Sequence, residues 1–195
     1  MPGVERMMLD RIGGEVARAT SLVRYAPDSH FSPHVHGGGE EFLVLEGEFG
    51  DEHQRYPAGT YVRNPIGTRH APQVGPKGCT ILVKLHQFDA ADQKQLVLDT
   101  SKGAWEPGPE PGVELLPLHK FGREQVILAR WAPAAALARH VHPVGEELFV
   151  LSGAFGDEHG EYPAGTWLRN PPGSAHTPIA GAQGALLYLK TGHLI

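Results

Sequence analysis

Three histidines and a glutamate, His34, His36, Glu40 and His70, bring together the donors that a divalent first-row metal prefers: neutral imidazole nitrogens and one anionic oxygen. The same residue types stand 140 − 34 = 106 positions later, as His140, His142, Glu146 and His176. A lone His-x-His is common in polar loops and means little. A second copy in the same register changes that reading. Between His34 and Pro72 roughly two-thirds of the residues recur identically in the second half, the mark of an internal duplication. Two metal sites are therefore expected, each holding Fe, Mn or Zn, a choice this donor set leaves open.

Such donors converge only if strands and turns aim them. Side chains two apart on a strand share a face, so His34 and His36 point together while Val35 points away. After the Gly37-Gly-Gly39 turn a strand resumes, with Glu40, Phe42 and Val44 on one face and Glu41, Leu43 and Leu45 on the other. His70 follows the strand Tyr61-Val-Arg-Asn64 and a Pro-x-Gly turn that reverses the chain. Ser21 to Pro27 and Ile127 to Pro133 are apolar strands ended by proline, and Phe31 and Leu137 lead into the ligand strands. Opening strands are expected in residues 1 to 20 and at Val113 to Leu118. Thr80 to Leu85 and Ala185 to Lys190 read as buried strands, and Gln95 to Leu98 as one more. No stretch shows helical periodicity, and short strands between Gly/Pro turns indicate an all-β fold of two tandem jelly-roll barrels.

The repeat divides the chain into residues 1–104 and 113–195, joined by the Pro/Gly-rich stretch 105–112. Both faces of the ligand strands are apolar, as Leu43 and Leu45 show. The outer face therefore needs a cover, from the other copy or from a second chain in a homodimer. With 17 Lys and Arg against 22 Asp and Glu, and no blocks of either sign, nucleic acid has no electrostatic footprint. Cys79 is the single cysteine, so an intrachain disulfide and a thiolate cluster are both excluded. It lies in an apolar run and reads as a core residue. Signal-peptide and membrane-spanning segments are lacking, and a cytoplasmic location is expected. His53 and His159 read as solvated turn residues. Arg63 and Arg169 are candidates either for a substrate carboxylate or for pairing with a neighbouring Glu.

The string His-x-His-x-x-x-Glu-(six)-Gly, then Gly-(five)-Pro-x-Gly-x-x-His, resembles the two cupin motifs. It is carried by His34, His36, Glu40, Gly47, Gly59, Pro65, Gly67 and His70, and again by His140, His142, Glu146, Gly153, Gly165, Pro171, Gly173 and His176. The longer Glu-Glu-Phe-Leu-Val-Leu-Glu-Gly-x-Phe-x-Asp-Glu, with Tyr-Pro-x-Gly-Thr-x-x-Arg-Asn-Pro, is similar to the ChrR-like cupins. The resemblance implies a bicupin with a three-His, one-Glu metal site in each barrel. It also implies one of two functions: a metal-dependent dioxygenase acting on a small diketone or phenolic substrate, or a zinc-binding sensor module related to an anti-sigma factor. The helical, cysteine-containing domain with which that anti-sigma factor holds its partner has no counterpart here, which favours the enzyme. Phe31, Phe42, Tyr61, Leu148 and Trp167 are candidates for the apolar walls of a substrate site.

Overall fold

A computed structural model describes residues 3 to 194. The chain forms two compact units, Met1–Lys102 and Gly103–Ile195. The first contains β1 (Val4–Gly13), β2 (Ala17–Tyr25), β3 (His34–Val35), β4 (Glu40–Gly50), β5 (Arg55–Pro57), β6 (Thr60–Asn64), β7 (Arg69–His70), β8 (Gln73–Leu85) and β9 (Leu96–Asp99). The second contains β10 (Glu106–Pro107), β11 (Val113–Phe121), β12 (Glu124–Trp131), β13 (His140–Val141), β14 (Glu146–Asp157), β15 (Gly160–Pro163), β16 (Trp167–Asn170), β17 (Ala175–His176) and β18 (Ile179–Thr191). One short 3-10 turn, Thr100–Lys102, is the only helical segment among the described residues. The all-β jelly roll expected from the turn pattern is the fold.

Each unit is a seven-stranded antiparallel sheet curled over a two-stranded ribbon. In the first unit the order is β1-β2-β8-β4-β6-β9, with β5 beside β4, and the ribbon pairs β3 with β7. In the second unit it is β10-β11-β12-β18-β14-β15, with β16 beside β14, and the ribbon pairs β13 with β17. The curl comes from bulges in the long strands: β4 shifts register against β8 between Val44 and Glu46 and again between Gly47 and Phe49. Gly47 has a φ of 72°, and a Cβ on it would lie 2.0 Å from the Gly78 carbonyl oxygen. Gly153 meets Gly184 in the same way, at 2.1 Å. Only glycine fits such a backbone crossing, which is why the motif fixes that residue.

Strand alternation then sorts the side chains. Phe42, Val44, Phe49, Val62, Ile81 and Val83 fill the first core, and Leu148, Val150, Phe155, Leu187 and Leu189 the second. Cys79 belongs to the first core and is 4% exposed. Along edge strand β1, by contrast, Met7 and Met8 are 63% and 60% exposed.

Part of the outer face of the first sheet is covered by the unit's own chain. β9 pairs with β6, Phe88 lies under the Arg63 guanidinium at 4.1 Å, and Asp92 is buried against Arg63. Within the stretch 105–112, Glu106–Pro107 pairs with Leu115 and Glu114, and Trp105 stacks on Arg130 at 4.4 Å.

Candidate metal centres

The ribbon and the turn that follows β6 position the histidines. His34 stands directly opposite His70 across β3 and β7, and His140 opposite His176 across β13 and β17. The Pro65 turn clamps the third histidine by its backbone: the His36 N–H donates to Thr68 O at 2.9 Å, and Gly67 N–H donates to His36 O at 3.0 Å. His142 is held identically by Ser174 and Gly173, at 2.9 and 2.8 Å. The outcome is two clusters, His34/His36/His70 and His140/His142/His176, each with one ring nitrogen per residue lying within 4.8 Å of the others.

The carboxylate reaches the first cluster from β4. Glu40 Oε2 lies 3.5 Å from His36 Nε2 and 3.7 Å from His70 Nε2, and it accepts a hydrogen bond from Asn64 Nδ2 at 3.1 Å. In the second cluster Glu146 Oε1 lies 3.8 Å from His142 Nδ1 and accepts from Asn170 Nδ2 at 3.1 Å. Two ligands at about 2.1 Å from one ion stand about 3.0–3.4 Å apart at tetrahedral or octahedral angles; the carboxylates stand somewhat farther than that from the imidazoles, and the tight clusters are the histidines alone.

Hydrogen bonding decides whether a cation fits. His140 Nδ1 faces Ala138 O at 3.1 Å, and His176 Nδ1 faces Asp157 Oδ2 at 2.9 Å. Both acceptors call for an N–H on Nδ1, which turns Nε2 of each ring toward the other. Those two Nε2 atoms are 3.2 Å apart. That spacing is what two imidazole nitrogens on one divalent ion would have. In the first unit His34 Nδ1 faces Ser32 O at 3.2 Å, and Asp51 Oδ2 lies 3.6 Å from His70 Nδ1. The Nε2 atoms of His36, His70 and His142, and Nδ1 of His70, are buried with no hydrogen-bond partner, which leaves nitrogens in each cluster available to a cation.

Electrostatics agree. Burial pushes the His36 and His142 imidazoles down to about 4, with neighbouring histidines adding to the shift, so both are neutral and ready to coordinate at physiological pH. Burial raises Glu40, and it raises Glu146 to about 7 against the opposing hydrogen bond from Asn170. A divalent ion would reverse that rise.

Asp51 and Asp157 were legible only as turn residues, and the structure gives them a role beside the metal set. Asp51 also accepts from Tyr56 Oη at 2.7 Å and from the His53 and Gln54 N–H groups. The next residues, Glu52 and Glu158, accept the backbone N–H of Ala71 and Thr177, directly after His70 and His176. The Asp-Glu-His turn is thus a clasp on the ligand ribbon. The one sequence signal for it was its recurrence in register. His53 lies beside Glu52 with a largely exposed side chain. Arg63 does not face the metal set: it donates to Glu41 and to Asp92, each at 2.6 Å, fully buried. Its counterpart Arg169 is exposed. Tyr61 and Trp167 pair with Leu43 and Phe149, on the face away from Glu40 and Glu146.

A cavity of about 360 Å³ adjoins the second cluster. Its wall includes Leu115, Ile127, Trp131, Leu137, Leu148 and Phe155, and His140, His176 and Glu146 open into it.

The sequence matches the ChrR cupin-like domain twice, over residues 1–89 and 93–195. The chain belongs to that family. No curated protein matches it. Among solved structures, this cupin pair is similar to a Nostoc punctiforme protein described as a "putative dioxygenase", at TM-score 0.84 and 18% identity over 98% of this chain and 74% of that one. It is also similar to a Pseudomonas aeruginosa protein described as a "putative glyoxylate induced protein" (TM-score 0.78, 15% identity, 97% and 81% covered). Oxalate decarboxylase of Bacillus subtilis gives TM-score 0.64 at 12% identity, with 97% and 71% covered. At these identities the likeness establishes the cupin fold alone.

Proposed function

We infer that this bicupin is a metal-dependent oxygenase acting on a small enolisable or phenolic compound, with His34, His36, Glu40 and His70 holding one divalent ion and His140, His142, Glu146 and His176 the other. The observation that carries the reading is the apolar cavity onto which His140, His176 and Glu146 open. A site meant only to brace the barrel has no need of a chamber large enough for one small molecule. Fe(II) or Mn(II) bound by these four ligands would keep a coordination position free and supply Lewis acidity and a meeting point for dioxygen.

The rest of the chemistry falls to the chain. The cavity wall excludes water and holds the apolar body of the substrate. Glu146, held by Asn170 at the inner end of the cavity, would have to leave the ion to take the proton of an enol or phenol. Asp157 keeps the His176 ring oriented while charge develops. The second reading, a zinc-binding sensor module, draws on the first barrel, where Phe49 packs 6.1 Å from the His70 ring and aromatic side chains occupy the space beside the histidines.

Metal content and oxygen uptake discriminate between them. Protein purified without chelator or affinity nickel is expected to carry near two equivalents of iron or manganese per chain, and after iron loading to consume oxygen with a member of a diketone and phenol panel. Stoichiometric zinc and no oxygen uptake with any member would overturn the oxygenase reading in favour of the sensor.

A further inference from the structure

The two metal sites are near-copies, but the chambers behind them are not. In the first barrel, Phe42 shares its face with Glu40, two residues away, and its ring meets Phe49 at 5.1 Å and Tyr56 at 6.1 Å. Phe31 meets Tyr25 edge-on at 5.3 Å, and Tyr25 lies 5.5 Å from Phe49. Five aromatic rings thus pack as one body against the metal set.

The second barrel keeps three counterparts, Trp131, Phe155 and Tyr162, in contact at 5.5 and 4.9 Å. Leu148 and Leu137 stand where the other copy has Phe42 and Phe31, and both line the cavity of about 360 Å³. Ala129 and Ala180 likewise replace Val23 and Val74. The exchange is not uniform shrinkage: Trp131 and Ile127 are larger than Tyr25 and Ser21 and extend the apolar wall. The rings lost are those flanking the carboxylate and the entry to the ribbon.

We propose that the second barrel alone takes the organic ligand, a small acid, enol or phenol with an apolar body, while the first barrel holds its ion without one. This rests on the metal-dependent reading above and assigns its substrate site to one half of the duplication. The ligand class follows from the lining. Apart from the metal set, the lining is chiefly aliphatic and aromatic, so the body of the ligand must be apolar. The remaining charged lining groups, Arg139 and Glu110, are exposed and half-buried and mark where the chamber meets solvent. The inner polar end is formed by His140, His176 and Glu146, and the ion they would hold would select an ionisable oxygen over a neutral amide. In the first barrel, Phe42 and Phe31 carry rings where the chamber walls have the shorter Leu148 and Leu137, and a well-packed core does not open for a ligand at low cost.

Cobalt-loaded full-length protein titrated with 3-phenylpropionate tests this, by calorimetry for stoichiometry and by the visible cobalt bands for contact with the ion. Metal content is measured on the same samples. Two cobalt ions and one probe per chain are expected, with a band change that saturates at one equivalent. Propionate and 3-phenylpropanamide should each bind at least tenfold more weakly. Leu148→Phe and Leu137→Phe should each weaken the probe at least tenfold while both ions are retained; two positions guard against one variant failing to fold. With both ions bound, two probes per chain, no probe, an amide that binds as well as the acid, or undiminished binding in both variants would overturn the assignment. Fewer than two ions before any probe is added would overturn the metal reading, and the assignment with it.

Discussion

The aspartates of the hairpin turns show how much a metal site depends on groups that never touch the ion. Asp157 lies 2.9 Å from His176 Nδ1 and so orients the ring with Nε2 toward the cluster. Asp157→Asn, with an amide unable to balance the charge, is expected to weaken metal binding at the second site about 10–100-fold, while the first site, served by Asp51, keeps its affinity. Competition with a chromophoric chelator reads both sites; equal affinities in variant and parent would refute the role. Titration is a second consequence at this scale. Glu146 has a folded value of about 7 against 4.5 in the open chain, so the folded metal-free protein binds its proton more tightly and loses stability as pH rises between those values. His142 has a folded value of about 4 against 6.5, so it contributes the opposite slope over that window. In Glu146→Gln the rise from His142 is left unopposed. The urea midpoint of the metal-free variant should then climb from pH 4.5 to 6.5 more steeply than that of the parent, and parallel curves would count against the buried carboxyl.

At the scale of strands and turns, period-2 alternation carried far. It paired His34 with His36, put Glu40 on the metal side and sent Glu41 and Leu43 away. The backbone clamps at His36 and His142 were not legible, because they are made by N–H and C=O groups that every residue owns. The arginines divide more instructively. Position 63 and position 169 lie on corresponding strands with the same side chain, and sequence left a substrate role and a structural role open for both. What separates them is Asp92 and Phe88, from a polar segment whose fold no local pattern foretold. Arg63→Met would remove a fully buried cation that bonds Glu41 and Asp92 and should cost about 3–5 kcal/mol. Arg169→Met, at an exposed position, should cost no more than about 1 kcal/mol. Chemical denaturation of the two variants checks the difference, and similar losses would contradict the asymmetry.

For the molecule as a whole, duplication was the most legible property, since one shift of 106 positions aligns all eight candidate ligands. It also concealed the divergence behind them. Substitutions such as Phe42 to Leu148 look conservative in a string of letters, and only packing shows that they set a ring cluster against a chamber. Each unit draws its histidines, carboxylate and core from its own residues, so the two halves can specialise while each keeps the means to fold.

Edge strand β1 bears on how this protein would meet oxidative stress. Burial raises the Cys79 thiol to about 12, so it holds almost no thiolate, the form that peroxide attacks. The exposed thioethers of Met7 and Met8 offer no such protection. Brief peroxide treatment, followed by peptide mass mapping, should find methionine sulfoxide at Met7 and Met8 before any oxygen is added at Cys79. The first damage would then fall on a rim where a modified side chain disturbs neither core nor metal, and the lone thiol would outlast it as a bystander.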